Sequence, residues 1–212
     1  MAAGLAGRDM FMLFPTGLFT GMVPDITMCD RIEKKLREMQ KAGEGVTAKT
    51  YLRSFMTSDN LHQLPEFKEL SDLVLSESKL ILDNYRIKRD SEYITGMWGN
   101  ITSPNRRQNN HVHPNCVLSG LIYIRIPAGA GMTLFHTPRR SEIAPDFIEK
   151  TPFNADTFIL PPEKGRMIMW QSYLPHSVDN GNADDAEDRI VVAFNVMIRG
   201  KVETLTAKTT FA

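Results

Sequence analysis

The sequence predicts a mainly β chain in which an N-terminal helical layer packs on a C-terminal antiparallel β-sandwich. Three observations predict it. Apolar residues recur at helical spacing over roughly the first 90 positions. From residue 92 onward, short runs rich in Ile, Val, Phe and Tyr alternate with Gly, Pro and Asn clusters. The hydrophobic share is 42%, and the 14 glycines bring apolar-plus-Gly to about 49%, enough for one sizeable core. At 212 residues the chain is expected to be a single domain, 1–212, with helical support over about 25–90 and a strand-rich core over about 91–200.

The elements follow in order. Residues 12–20 (MLFPTGLFT) read as a short strand broken by Pro15 and Gly17. Thr27 and Asp30 have the spacing of a capping box, and Met28, Ile32, Leu36 and Met39 then mark a helix over about 28–42, ending near Gly43. Pro65 suits a helical first turn, and Phe67, Leu70, Val74, Ile81 and Tyr85 trace one face of a second helix, about 66–86. The runs EYITGMW, LSGLIYIRIP, GMTLFH, DTFILP, RMIMW and RIVVAFNVMIRG are strands at the spacing of a sandwich or barrel. Residues 137–156 are a polar insertion and an expected substrate-facing loop.

Composition excludes several classes. The 25 basic and 25 acidic residues balance without a basic block, which argues against a chain built to hold nucleic acid. No run of 18 apolar residues offers a membrane span, and the first residues lack the pattern of a signal peptide. Cys29 and Cys116 are too few for a disulfide framework, so a reduced, cytoplasmic setting is expected.

Three histidines carry the chemistry. His111 and His113 lie two apart, so on extended backbone both point to one face. His176 sits between two later strands that a sandwich can bring alongside. Three imidazoles on one side of a divalent metal leave open positions for reactants, and they suit Fe(II), Zn and Cu alike. The plainer alternative makes them loop and turn histidines bonded to backbone. Arg189 opens the apolar run RIVVAFN, where a buried charge is costly unless paired, and it is placed to clamp a carboxylate. Otherwise it faces solvent or pairs with Asp184, Asp185 or Asp188. Tyr123, alternating with Ile122 and Ile124, points into the sandwich with a hydroxyl that needs a partner: that same carboxylate, or backbone.

Other residues are weaker candidates. Asn100, Gln108 and Asn110 can orient the histidines or serve as turn polars. Trp98 and Trp170 can wall the pocket or fill core. His136 can face the site as a supporting or substrate-contacting group, and Arg139 and Arg140 can meet an anion or only solvent. His62 and Cys116 are read as structural.

The strings H-x-H-P-N-x-x-L-S-G-x-x-Y, P-x-x-G-x-x-x-x-W-x-S-x-L-P-H-S-V-x-N and R-I-x-x-x-F-N resemble the 2-oxoglutarate- and Fe(II)-dependent oxygenases. Within them the chain looks like a little-characterised bacterial and phage branch, distantly similar to prolyl 4-hydroxylase-like enzymes. LFPTGLF, SDNLHQLPEF and WGNI also look like that branch, so the resemblance covers most of the chain, sharply over 98–124 and 161–195. It implies a double-stranded β-helix (jelly-roll, cupin-like), with Fe(II), 2-oxoglutarate as cosubstrate and O2. By that match His111 and His176 are metal ligands, Arg189 binds the far carboxylate of 2-oxoglutarate, and Tyr123 assists it. The departure is His113, where the family carries Asp or Glu. His113 itself as third ligand is the preferred reading. A supporting role for His113 with an open position, or a carboxylate such as Asp179 as ligand, are the alternatives.

The implied reaction decarboxylates 2-oxoglutarate to succinate and CO2 and, by default, hydroxylates an unidentified substrate, a small molecule or a protein side chain. Three rivals stand beside it. One is a non-enzymatic cupin-like binding protein, and another is a three-histidine iron dioxygenase that does not use 2-oxoglutarate. The third, a zinc hydrolase, lacks H-E-x-x-H or a nearby general-base carboxylate.

Overall fold

The computed structural model describes residues 11, 13–47, 54–139, 145–151, 153–183, 187–203 and 206–211. The strands are β1 (Leu18–Met22), β2 (Val46–Thr47), β3 (Ser54–Met56), β4 (Ser91–Thr102), β5 (Gln108–His111), β6 (Leu118–Arg125), β7 (Thr133–His136), β8 (Thr157–Leu160), β9 (Arg166–Gln171), β10 (His176–Val178), β11 (Arg189–Glu203) and β12 (Lys208–Phe211). Two helices, α1 (Thr27–Ala42) and α2 (Lys68–Asn84), precede β4, with 3-10 turns at Leu61–Gln63 and Pro65–Phe67 leading into α2.

The strands form two antiparallel sheets. The larger has the order β1-β9-β6-β11-β4-β3-β2, with β12 added to β11, and the smaller has the order β5-β10-β7-β8. Strand alternation sorts the side chains of the larger sheet. Leu118, Ile122 and Ile124 of β6, Met167 and Met169 of β9, and Ile190, Val192, Phe194, Val196 and Ile198 of β11 share one buried cluster with the helical residues Ile32, Leu36, Leu70 and Val74. The opposite parity supplies Leu121, Tyr123, Ile168, Trp170 and Val191, which pack with Phe135 of the smaller sheet. The molecule is therefore layered as helices, large sheet, small sheet, with the polar inner residues between the two sheets. This matches the mainly β, helix-supported jelly-roll expected from the sequence.

Several local expectations need correction. The first strand is Leu18–Met22 rather than 12–20, because Pro15 and Gly17 precede a pairing that begins at Leu18 opposite Trp170. Thr27 and Asp30 do not form a capping box. Asp25 accepts the Thr27 N–H (2.9 Å) and hydroxyl, while Asp30 pairs with Lys164 (2.5 Å). Helix α1 ends where Gly43 takes φ 73°, a left-handed turn that favours glycine. Among the described residues, no helix is long and apolar enough to cross a membrane.

Phe194 is fully buried, and its ring lies against Gly120, where an added Cβ would come within 2.6 Å of the Ile168 carbonyl oxygen. Truncation of Phe194 to Ala is expected to cost about 3–5 kcal/mol. Gly120→Ala, which forces two strands apart instead of emptying a hole, is expected to cost about 1–3 kcal/mol. Denaturant unfolding of both variants checks the pair.

Candidate metal and cosubstrate site

The small sheet builds the histidine cluster. His111 ends β5 and His176 begins β10, and the two are register partners across that pair. Their ring centroids are 4.2 Å apart. His113 follows two residues after His111, with its backbone N–H donated to the Ser172 carbonyl (3.1 Å). The ligand atoms of His111, His113 and His176 all lie within 4.8 Å of one another, the arrangement of a group that can hold a metal ion.

The free nitrogens are defined by what the other ring nitrogens do. His111 Nδ1 lies 2.9 Å from the Asn109 carbonyl and His176 Nδ1 lies 3.0 Å from the Leu174 carbonyl. A carbonyl only accepts, so each Nδ1 carries the proton and each Nε2 keeps its lone pair. His113 Nε2 lies 3.2 Å from His176 Nε2. Two imidazole nitrogens each about 2.1 Å from one divalent ion, at 90–110° to each other, would be roughly 3.0–3.4 Å apart. The spacing thus fits one edge of a metal coordination shell. Burial pushes the His176 imidazole down to about 4, with smaller pushes from its histidine neighbours. Burial and then His111 also lower His113. Both are neutral at pH 7, the form that ligates metals.

Aromatic walls hold the cluster. Trp98 stacks on His113 (6.1 Å, 20°), and Trp170 meets His176 edge-on (4.8 Å, 65°) while also packing on Phe135. Trp170 is therefore both core and wall. Gln108 lies 3.3 Å from His111 Nε2, so it is the one of the three polar candidates that contacts a histidine ring.

Arg189 opens β11 on the inner face and is 7% exposed. Its Nε and Nη2 atoms are buried without a hydrogen-bond partner. Its guanidinium lies 5.6 Å from the centre of the Tyr123 ring. Desolvation pulls its pKa down, opposed at a distance by Tyr123 and Asp179. Of the pairing alternatives, Asp188 binds Arg37 instead (2.9 Å), while Asp184 and Asp185 lie outside the described residues. Tyr123 is fully buried, and its hydroxyl meets Thr133 Oγ1 (2.7 Å), a side-chain partner that neither expected alternative, a carboxylate or backbone, included.

Other candidates separate from the site. Asp179 accepts the Met132 N–H (2.5 Å), stands outside the histidine group and lines a cavity of about 630 Å³ that none of the three histidines lines. It is a loop-closing residue, not the third member of the cluster. His136 alternates with the inward Phe135, so it faces away from the site and bonds Ser177 Oγ (2.8 Å). Arg139 donates to the Leu13 and Phe14 carbonyls (2.8 and 2.7 Å), pinning the segment before β1, and Arg140 lies outside the described residues. His62 sits in the turn before α2 and Cys116 packs in the loop after His113, as structural residues would. Ser172, whose carbonyl accepts the His113 backbone N–H, and Ser119 and Asn195, bonded in turn behind it, stand in the quoted strings without a role read from the sequence. The signal that could have found Asn195 is its parity: it is a polar residue at Arg189's parity in an apolar strand.

The family model described as "Putative 2OG-Fe(II) oxygenase" matches residues 96–195, the span that carries all three histidines and Arg189. No curated protein sequence matches the chain. Among solved structures, a Pseudomonas putida prolyl-4-hydroxylase is similar at 12% identity, with 87% of this chain and 94% of that chain covered and a TM-score of 0.64. The α-ketoglutarate-dependent epimerase SnoN from nogalamycin biosynthesis is similar at 12% identity, covering 91% and 83%, with a TM-score of 0.66. HygX from Streptomyces hygroscopicus, solved with nickel, 2-oxoglutarate and hygromycin B bound, is similar at 12% identity, covering 86% and 83%, with a TM-score of 0.57. At such identities these three establish the fold, and the matched family speaks to the chemistry. Over residues 96–195 the chain is thus similar to the 2-oxoglutarate- and Fe(II)-dependent oxygenases, and it shares the fold of solved members of that group.

Proposed function

We propose that His111, His113 and His176 hold Fe(II) through their Nε2 atoms, and that Arg189, with Tyr123 beside it, receives the far carboxylate of 2-oxoglutarate. The observation that carries this reading is the pair of buried, unpartnered donors on Arg189. A guanidinium only donates, so the group it awaits is an acceptor, and a carboxylate matches its fork and its charge. Two residues along β7 and β10, roughly 7 Å, separate the Phe135–His176 level from the Thr133–Val178 level where Tyr123 attaches. That separation is in the reach of a short dicarboxylate. A three-histidine dioxygenase without 2-oxoglutarate, or a metal-free binding protein, leaves the buried charge of Arg189 without a purpose.

The cofactors are Fe(II), 2-oxoglutarate and O2, which together supply an oxidant for hydrogen removal from substrate while 2-oxoglutarate becomes succinate and CO2. The chain's own contribution is placement. The Asn109 and Leu174 carbonyls hold His111 and His176 as Nε2 ligands. Trp98, Trp170 and Phe135 keep water from the inner face. Arg189 orients the cosubstrate from the far end. Three neutral ligands leave Fe(II) and a dianion balanced, which a buried site tolerates better than a net charge. The chain is taken as a single oxygenase domain, and the substrate is a small molecule or a protein side chain, hydroxylated by default.

Anaerobic protein mixed with Fe(II) and then 2-oxoglutarate is expected to show a weak visible charge-transfer absorption. His176→Ala abolishes it, and Arg189→Ala weakens it at sub-saturating 2-oxoglutarate. Iron binding without any such band in the wild type would sink the cosubstrate assignment. A second expectation concerns stability. Arg189→Met removes a buried charge, so the ligand-free variant should be more stable by on the order of 1–4 kcal/mol, while the stabilisation that 2-oxoglutarate gives the Fe(II)-loaded wild type disappears. Thermal unfolding with and without the cosubstrate reads both effects.

A further inference from the structure

We infer that Arg37 of α1 positions Arg189: it holds the adjacent Asp188 on the helix side of β11, so that the guanidinium of Arg189 is delivered to the inner face. The inference rests on the assignment of Arg189 as the cosubstrate clamp. It starts from two opposite charges, Asp188 and Arg189, that stand side by side where β11 begins. Consecutive residues of extended backbone point to opposite faces. One of the two therefore turns toward the helices and the other toward the space between the sheets. A carboxylate on the inner face would repel a dicarboxylate, whereas a guanidinium there attracts it.

The strand ladder alone holds Arg189 weakly. β6 pairs with β11 only from Ile190, opposite Arg125, and β4 reaches Arg189 through Thr102. The Thr102 hydroxyl donates to the Arg189 carbonyl at 3.4 Å, a long bond to the main chain. Nε and Nη2 of Arg189 have no partner among the described residues. The aim of the guanidinium is thus set by the backbone at the first residue of a strand, where ladders open most easily.

Arg37 supplies the missing constraint. Its Nη1 donates to Asp188 Oδ2 at 2.9 Å, and its Nε donates to Glu33 Oε1, one turn earlier in α1, at 2.9 Å. Both acids are shielded, with 21% of the Asp188 side chain exposed and 17% of Glu33. A second pair, Arg125 with Glu187 at 3.4 Å, tethers the preceding residue, but at 39% and 52% exposure it contributes little. Parity ties the Arg37–Asp188 bond to the direction of Arg189. Asp188 is two residues before Ile190, which is buried in the cluster with α1, and Arg189 is two before Val191, which packs with Tyr123 on the other face. A one-residue slip at the start of β11 would exchange the two charges and break the bond to Arg37. The helix is a firm base for this, because Leu36, next to Arg37, is fully buried against Gly99 of β4. The same bond occupies the carboxylate adjacent to Arg189 in sequence, which keeps the fork of the clamp open. Arg37 is accordingly a positioning residue and touches neither metal nor cosubstrate.

The test uses the full chain loaded anaerobically with Fe(II), with 2-oxoglutarate titrated and the visible charge-transfer band as signal. Arg37→Met keeps the stem and removes the charge. It is expected to raise the half-saturating 2-oxoglutarate concentration roughly 10-fold, short of the roughly 100-fold that a 1 Å misplacement can cost. The band at saturation and the affinity for Fe(II) should stay at wild-type values, since the histidines lie elsewhere. Asp188→Asn should give a smaller rise, because an amide oxygen still accepts from Arg37. The double variant should be no worse than Arg37→Met alone, the mark of two residues acting as one unit. An unchanged half-saturation in folded Arg37→Met, or in Asp188→Asn if Arg37→Met does not fold, would overturn the inference and leave Arg189 as the clamp. Loss of iron binding in step with cosubstrate binding would overturn it too, by making the pair a general support of the fold. A wild type that binds Fe(II) without any band would instead overturn the clamp assignment, and the inference with it.

Discussion

A guanidinium held out of water without a counter-charge is the constraint around which the rest of this molecule is arranged. Desolvating such a group costs on the order of several kcal/mol even after relaxation. Arg189 nevertheless starts the longest strand among the described residues, with two buried donor nitrogens that none of those residues satisfies. A fold tolerates that only if stability elsewhere is ample and if a ligand completes the group in use. The ample part is visible on the other face of the same strand. There Ile190, Val192, Phe194, Val196 and Ile198 are buried in one cluster with both helices.

The same alternation explains why one sheet can serve both ends. In β11 the alternate residues Ile190 to Ile198 pack in the cluster that holds the helices, whereas Val191 and Ala193 between them pack in the cluster on the other face. The helical layer therefore stiffens the site without entering it. Gly99 shows how close this support comes. A Cβ there would press into the Leu36 side chain of α1, so the helix lies nearly on the backbone of β4. The walls of the site come from the large sheet, while two of the three histidines come from the ends of the small one.

Much of this was legible in the residues. The helices were readable from Leu36 and Val74 and their neighbours, because a 3.6-residue period survives in any window of that length. The histidine cluster was readable because H-x-H and a later His carry chemistry by residue type. The inward direction of Tyr123 followed from alternation, whereas its partner Thr133 did not, since that contact crosses between sheets. Strands β5 and β10 escaped detection. They are short and polar, and they exist because each lends main-chain bonds to the other. Asn195 stands in the string R-I-x-x-x-F-N, but its partner Ser119 was not legible because that bond crosses between strands. The direction of His136 was not legible for a related reason: proximity in sequence to an apolar strand does not say which parity points inward.

One consequence of β11 concerns insertions and deletions rather than substitutions. Arg189 and Asn195 share a face only because they lie six positions apart, an even offset. Deleting one residue between them would turn one of the two toward the helices while the strand itself could still pair. Deleting two would keep both on the inner face but shorten their separation by roughly 7 Å. The segment thus behaves like a reading frame, in which spacing carries information that composition does not. Two homologues with equally apolar versions of this strand could differ wholly in function if their counts differ by one.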